Sequence, residues 1–411
     1  MKIVIHRYNS ICEPGYIDAF RALGIDVIED TDEMTNKAIS GSERVGTLAE
    51  LILTHRPMFV FSINFFPYIS EICERLKVLY VCVSVDCPVA ELMSVSIRNS
   101  CNRIFLFDRS QYLETVKENP SGIFHLPLSV LYGDDELHEP GDFKYDISFI
   151  GSLYNEKNHY AEIFDKLSPR VQGLCEGLIG AQELLGGTGL LETVFSERGP
   201  ATGKNNIADE ILSETARLLP DELAGSDDYI TDMTEFWTLN GCFGFELTVR
   251  DRLMLLATMS ETLKEQAKVH LFTRSDVSLL RSIAPDIIMH GGVSTLTGMP
   301  EVFRSSRINL NTTMRPIREG LPQRIWDILG VGGFLLTNYQ SEIPDYLTVG
   351  KHLEAFESPD EACEKAAYYL SHEEERLEIA RAGYEEVKSR HLILNRVSSM
   401  IGRILDTIGN T

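Results

Sequence analysis

The stretch SSRINLNTTMRPIREGLPQRIWDILGVGGFLLTNYQ, Ser305 to Gln340, decides how this chain is read. Ile308 and Leu310 alternate with Asn309 and Asn311, so a short strand carries two amides on one face. A polar loop follows, and Glu319-Gly320-Leu321-Pro322 then forms the mouth of a helix that Gly332-Gly333 ends before the apolar run FLLT. Strand–loop–helix–strand is the unit that sets a helix N-terminus beside a bound phosphate. The unpaired N–H groups of that mouth suit a diphosphate, Arg324 adds charge, and Gly320 leaves room for a ligand. Asp327, about two turns into the helix, has the reach for the two hydroxyls of a ribose, with a surface ion pair as its competing reading. Together these features point to a sugar nucleotide.

Working outward, the same alternation runs through most of the chain. Short apolar runs at Lys2–His6, Asp26–Ile28, Met58–Ile63, Val78–Val85, Arg103–Phe107 and Ile123–Leu126 read as strands, with helices such as Tyr16–Leu23, Gly46–Thr54 and Tyr68–Leu76 between them. Several runs are apolar throughout, as in parallel strands covered on both faces. A polar linker, Leu131–Lys144, precedes a second series: Ile147–Ile150, Lys268–Phe272, Asp286–Met289, Arg307–Leu310 and Gly333–Thr337. Residues from about 159 to 263 read as a helical insertion, because no single crossover helix fills so long a gap. Amphipathic helices at Asp360–Leu370, Glu374–Arg390 and Leu394–Ile408 close the pattern. The expected fold class is α/β, two doubly wound halves facing a cleft. The expected division is 1–140, 145–390 with the insertion, and a helix in 391–411.

Composition narrows the partners. A chain of 411 residues exceeds what one core usually supports. Its net charge of −23 argues against nucleic acid and anionic membrane surfaces. The eight cysteines form no C-x-x-C pair and several sit in apolar runs, which fits free thiols in a cytoplasmic, reducing setting. No apolar run reaches membrane-spanning length, and MKIVIH opens directly as a strand. The oligomeric state is not legible.

In such folds ligands bind at the carboxyl ends of the strands. On the second half, Gly151-Ser152 offers a close backbone approach, Arg274 offers charge, and His290-Gly291-Gly292 offers a flat loop for a nucleobase. Each has a plain strand-end turn or solvated side chain as its alternative. Asn311 joins this donor-side set, although Asn309 and Asn311 are equally suited to tethering loops. On the first half, Asp86 follows the most apolar strand and is the candidate general base, with helix capping as its alternative. Glu13 and Asn64 are the acceptor-side candidates. GPATGKN at 199–205 lacks the spacing and hydroxyl of a phosphate-binding P-loop, no G-x-G-x-x-G follows the first strand, and His and Cys show no zinc spacing. The Asp227-Asp228 pair lies in the insertion and lacks the D-x-D spacing that would suit a metal-bound diphosphate. No metal site is expected.

The runs INLN, GLPQRIWDILG and GGFLLTNYQ, the tail YYLSHEEERLEIARAGYEEVKSRH, and SICEPG, FSINFFP, VDCP, FLFDR, HLPLSV and DISFIGSLYNEKN resemble glycosyltransferases related to the spore maturation protein CgeB. The resemblance covers nearly all of the chain outside the insertion. It implies a GT-B architecture of two Rossmann-like domains, with a nucleotide-sugar donor on the C-terminal one, an acceptor on the N-terminal one, and a last helix that crosses back. It also makes Glu319 and Asp327 similar to a paired-carboxylate motif in which the first residue meets the donor sugar and the second the ribose, so Glu319 joins Asp86 as a catalytic candidate. The expected activity is metal-independent transfer from a nucleotide-diphosphate sugar, uridine-based, to a protein or glycan acceptor, without a further cofactor. A non-catalytic sugar-nucleotide-binding scaffold and a GT-B-shaped sugar-nucleotide epimerase are the alternatives.

Overall fold

The computed structural model describes residues 1–36, 38, 40–131, 136–137, 143–185, 189–196, 207–223 and 228–409. Most of the expected linker, all of GPATGKN and Asp227 lie outside these residues.

Two six-stranded sheets, parallel throughout, form the two halves. The first contains β1 (Lys2–His6), β2 (Asp26–Asp30), β3 (Phe59–Ile63), β4 (Leu79–Val83), β5 (Asn102–Leu106) and β6 (Ile123–His125) in the order β2-β1-β3-β4-β5-β6. The second contains β7 (Tyr145–Ile150), β8 (Val269–Phe272), β9 (Ile288–His290), β10 (Ser306–Asn311), β11 (Leu335–Asn338) and β12 (Glu354–Phe356) in the order β12-β11-β10-β7-β8-β9. Every residue of β3 and β5 is buried, Ser62, Asn102 and Arg103 included, as in strands covered on both faces. In each half the order reverses beside the first strand, and loops at such a switch point diverge to leave a crevice.

Helices cover both sheets. In the first half, α1 (Glu13–Ala22) follows β1 and α2 (Arg109–Thr115) follows β5. In the second, α3 (Phe245–Leu263) leads into β8, and α4 (Gln323–Gly330) joins β10 to β11. Helices α5 (Pro359–Ser371), α6 (Glu373–Arg390) and α7 (Ile393–Gly409) then follow. Although α3 falls in the span expected as insertion, its Leu255, Leu256, Met259 and Leu263 pack into the core under the second sheet. It serves that sheet as a covering layer.

The insertion proper has its own core, around Tyr160, Ile179, Phe195, Trp237 and Phe243. It also docks on the first half. Ile230 N–H donates to the Met93 carbonyl at 2.7 Å, Tyr229 forms a β-bridge with Ser94, and Met233 enters the first half's core. Helix α7 returns to the first half as well: Val397, Met400 and Ile404, all fully buried, pack with Tyr16, Phe20 and Phe61. Arg396 and Arg403 donate to the carbonyls of Pro127 and His125 at 2.9 and 3.0 Å.

Candidate functional site

On the first half, the loops after β1, β3 and β4 meet in one polar cluster. Asn64 adopts a left-handed conformation (φ 59°), which asparagine tolerates better than most residues. Its Oδ1 accepts from the Val85 N–H at 2.9 Å, while its Nδ2 donates to Asp86 Oδ2 at 2.7 Å and to Tyr8 Oη at 3.2 Å. Asp86 remains exposed, so Asn64 orients a carboxylate that is still open to solvent. Burial, reinforced by the nearby charges of Asp86 and Glu13, pushes the Tyr8 hydroxyl up to about 12. Asn64 and Asp86 are thus brought together. Glu13 is not part of that surface. It is 1% exposed, its Oε1 accepts from the N–H groups of Tyr8 and Ser10 at 2.9 Å, and its Oε2 holds Arg7 at 3.1 Å. Its carboxylate shapes the loop after β1 and offers nothing to an acceptor.

On the second half, three of the expected donor residues converge. The Arg324 guanidinium lies over Gly151, where a Cβ would come within 3.1 Å of it. It also reaches Asn311 Oδ1 at 3.4 Å. Asn309, by contrast, is consumed by tethering, donating to the Phe303 carbonyl at 3.0 Å. Ser152 belongs to an internal network with Glu156 and Ser275. Its carbonyl accepts from Arg252, a residue that sequence reasoning missed. Arg252 is 2% exposed and donates to Thr312 Oγ1 at 3.1 Å and to the Thr312 carbonyl at 2.8 Å. Burial lowers its guanidinium to about 10, so it stays charged at neutral pH. These bonds all go to neutral oxygens, so positive potential persists under the loops after β7 and β10. No sequence signal marks Arg252, because it reaches the site from mid-helix.

Further along the same edge, His290 stacks on Phe272 with centroids 4.3 Å apart, and its Nε2 lies 3.0 Å from His270 Nδ1. Burial lowers both imidazoles, which favours the neutral rings that such a contact needs. Arg274 folds over Gly292, where a Cβ would collide with its side chain, and Gly291 is open.

The helix mouth differs from the sequence expectation. The N–H groups of Arg318, Glu319 and Gly320 all donate to one oxygen, Asp108 Oδ2, at 3.0, 2.8 and 2.9 Å. Asp108 belongs to the first half, is fully buried, and caps α2 through its other oxygen. Glu319 is turned to the same junction, with Ser110 Oγ at 2.6 Å and Arg109 Nε at 3.0 Å. The space that Gly320 leaves is filled by protein backbone, since a Cβ there would lie 2.9 Å from Asp108 Cα. The Leu321 side chain is buried in the core between the halves. Asp327 is 3% exposed, so the surface ion-pair reading fails. Its Oδ1 accepts from the Leu131 N–H at 2.8 Å and from Gln323 Nε2 at 2.9 Å. Four residues expected to face a donor therefore hold the two halves together. Near this junction the Cys12 thiol is pushed up to about 12 by burial first, then by the charges of Asp327 and Asp86. Among the described residues no three of His, Cys, Asp or Glu gather in a way that would hold a metal ion.

Two parallel six-stranded sheets, each with a switch point beside its first strand, form the GT-B fold. Over nearly its full length the chain is similar to a glycosyltransferase from Rickettsia africae ESF-5 (TM-score 0.54, 10% identity, 100% of this chain and 99% of that one). It is also similar to WaaG, a glycosyltransferase involved in lipopolysaccharide biosynthesis (0.52, 10%, 97% and 98%), and to the T4 phage β-glucosyltransferase (0.51, 9%, 98% and 99%). At such identities the likeness speaks for the fold. Residues 252–402 match a family model described as glycosyl transferase-like. The chain thus has the GT-B fold, and within it residues 252–402 carry a glycosyl transferase-like sequence pattern. No curated protein matches it in sequence.

Proposed function

We propose that the chain transfers a sugar from a uridine diphosphate sugar to a glycan or protein acceptor, without a metal ion, in the reducing cytosol. The carrying observation is the Arg324 guanidinium seated over Gly151 beside Asn311, with Arg252 charged beneath the adjoining loops. Departure of a nucleoside diphosphate needs preorganised positive charge, and these arginines supply it. In this reading Ser152 and Arg274 flank the diphosphate and the His290–Gly291 loop faces the base. Asp86, aimed by Asn64, removes the proton of the acceptor hydroxyl. The eight buried free cysteines suit that compartment, and the motif resemblance to CgeB-related enzymes belongs to the same reading.

The test is thermal shift with uridine diphosphate in the presence of a chelator. Binding at a hundred times the dissociation constant stabilises by about 2.7 kcal/mol. Arg324→Ala removes charge-assisted bonds and should weaken uridine diphosphate about 10- to 100-fold. Asp86→Asn should keep the shift and slow transfer by about 10²- to 10⁴-fold. An Arg324→Ala variant with an undiminished shift sinks the donor assignment. Isomerised donor in place of released sugar would point to epimerisation.

A further inference from the structure

Beside the cleft lies a cavity of about 410 Å³, walled by the first half, the insertion and the loop between β10 and α4. Its volume is that of a small-molecule site. Gln111 of α2 lines it at 3% exposure, and among the described residues neither its Nε2 nor its Oε1 has a hydrogen-bond partner. A buried amide left unpaired costs about 1–3 kcal/mol for each unsatisfied group. An amide kept there in spite of that cost suits a polar partner that enters the cavity.

The lining says which kind. Four glutamates face one lysine and two arginines. Arg318 is already engaged by Glu114 at 2.7 Å, and Arg315 by Asp251 at 2.9 Å. The cavity is therefore slightly acidic and ill suited to an anion such as a nucleotide. Carboxylates accept from hydroxyls, and a primary amide both donates and accepts, which matches neighbouring hydroxyls on a ring. On the insertion side Phe236, Leu239 and Leu247 supply an apolar wall for a C–H face. The cavity also adjoins the cleft. Its Cys87-Pro88 directly follows Asp86.

We infer that this cavity binds a neutral sugar unit of the acceptor, with Gln111 reading its hydroxyls and the insertion forming the wall. The acceptor role rests on the glycosyl-transfer reading above, whereas the binding does not. The experiment is saturation-transfer-difference NMR on the full chain, without nucleotide, using the methyl glycosides of glucose, galactose and N-acetylglucosamine. At least one should receive saturation from the unsubstituted protein. Gln111→Leu, which removes the unpaired amide without emptying the site, should cut that transfer at least tenfold. Thr231→Trp, placed on the exposed rim, should do the same with the core untouched. Absence of transfer with all three glycosides, or transfer undiminished in both variants, overturns the inference. A missing thermal shift with uridine diphosphate would remove the donor reading and leave this result standing.

Discussion

A single carboxylate, Asp108, accepts three backbone N–H groups from a loop some 210 residues away and a fourth from its own helix. Hydrogen bonds to a charged group contribute about 1.5–3 kcal/mol each, and these are buried. Asp108→Ala should therefore lower the unfolding free energy by about 3 kcal/mol or more, read from urea denaturation; a loss under 1 kcal/mol would show that the loop is held by other means. Gly320→Ala should destabilise by about 1–3 kcal/mol, because Asp108 Cα and the Phe107 carbonyl belong to backbone that cannot swing aside and the Phe107 ring beside them is buried. The sequence made Glu319 and Gly320 conspicuous but said nothing of Asp108. In FLFDR an aspartate before a helix reads only as a cap, which it also is. Its second role depends on a contact with no local signature. For the same reason Glu13, Glu319 and Asp327 were legible as carboxylates at strand ends and helix mouths, and illegible as internal tethers.

Among the elements, the junction of α6 and α7 carries a pH dependence. His391 is 6% exposed, its ring lies 4.8 Å from that of Trp326, and its Nδ1 lies 2.5 Å from Arg396 Nη2. Burial, aided by the charges of Arg396 and Arg390, lowers it from 6.5 to about 4. The unfolded chain takes up a proton below 6.5 that the folded chain refuses until about 4, so this contribution is intact above 6.5 and falls away on acidification toward 4. The full loss is about 3 kcal/mol. Urea midpoints of His391→Gln and the unsubstituted chain should converge between pH 7 and 4.5; a constant difference would mean that His391 titrates normally. Most elements were readable because apolar runs bounded by glycine and polar residues leave little choice between strand and helix. Two were not. β12 has three residues, the first a glutamate, and sits at a sheet edge, so it carries no apolar run. The role of α3 escaped because a helix covering a sheet and one covering other helices share the same periodicity.

At the scale of the whole molecule, the halves are joined by the latch at Asp108, by the docked insertion and by α7. Met400 is fully buried in the first half's core although it follows the second half in sequence. Met400→Ala should cost about 2–5 kcal/mol and lower the melting of the entire chain in one transition. Calorimetry that resolved an unaffected second transition would show the halves to be energetically separate. The two-sheet architecture was plain from the alternation of patterns, whereas the destination of the insertion was not, since nothing in residues 229–233 marks them as partners of Met93 and Ser94.

The return of α7 also sets a schedule for biosynthesis. Val397, Met400 and Ile404 complete a core whose first-half members, from Ile3 to Leu126, leave the ribosome about 270 residues or more earlier. At about 5–20 residues per second, the groove beside α1 stays uncovered for on the order of 15–50 s. The nascent first half thus exposes an apolar groove for the whole time that the helix destined to cover it is still to be made.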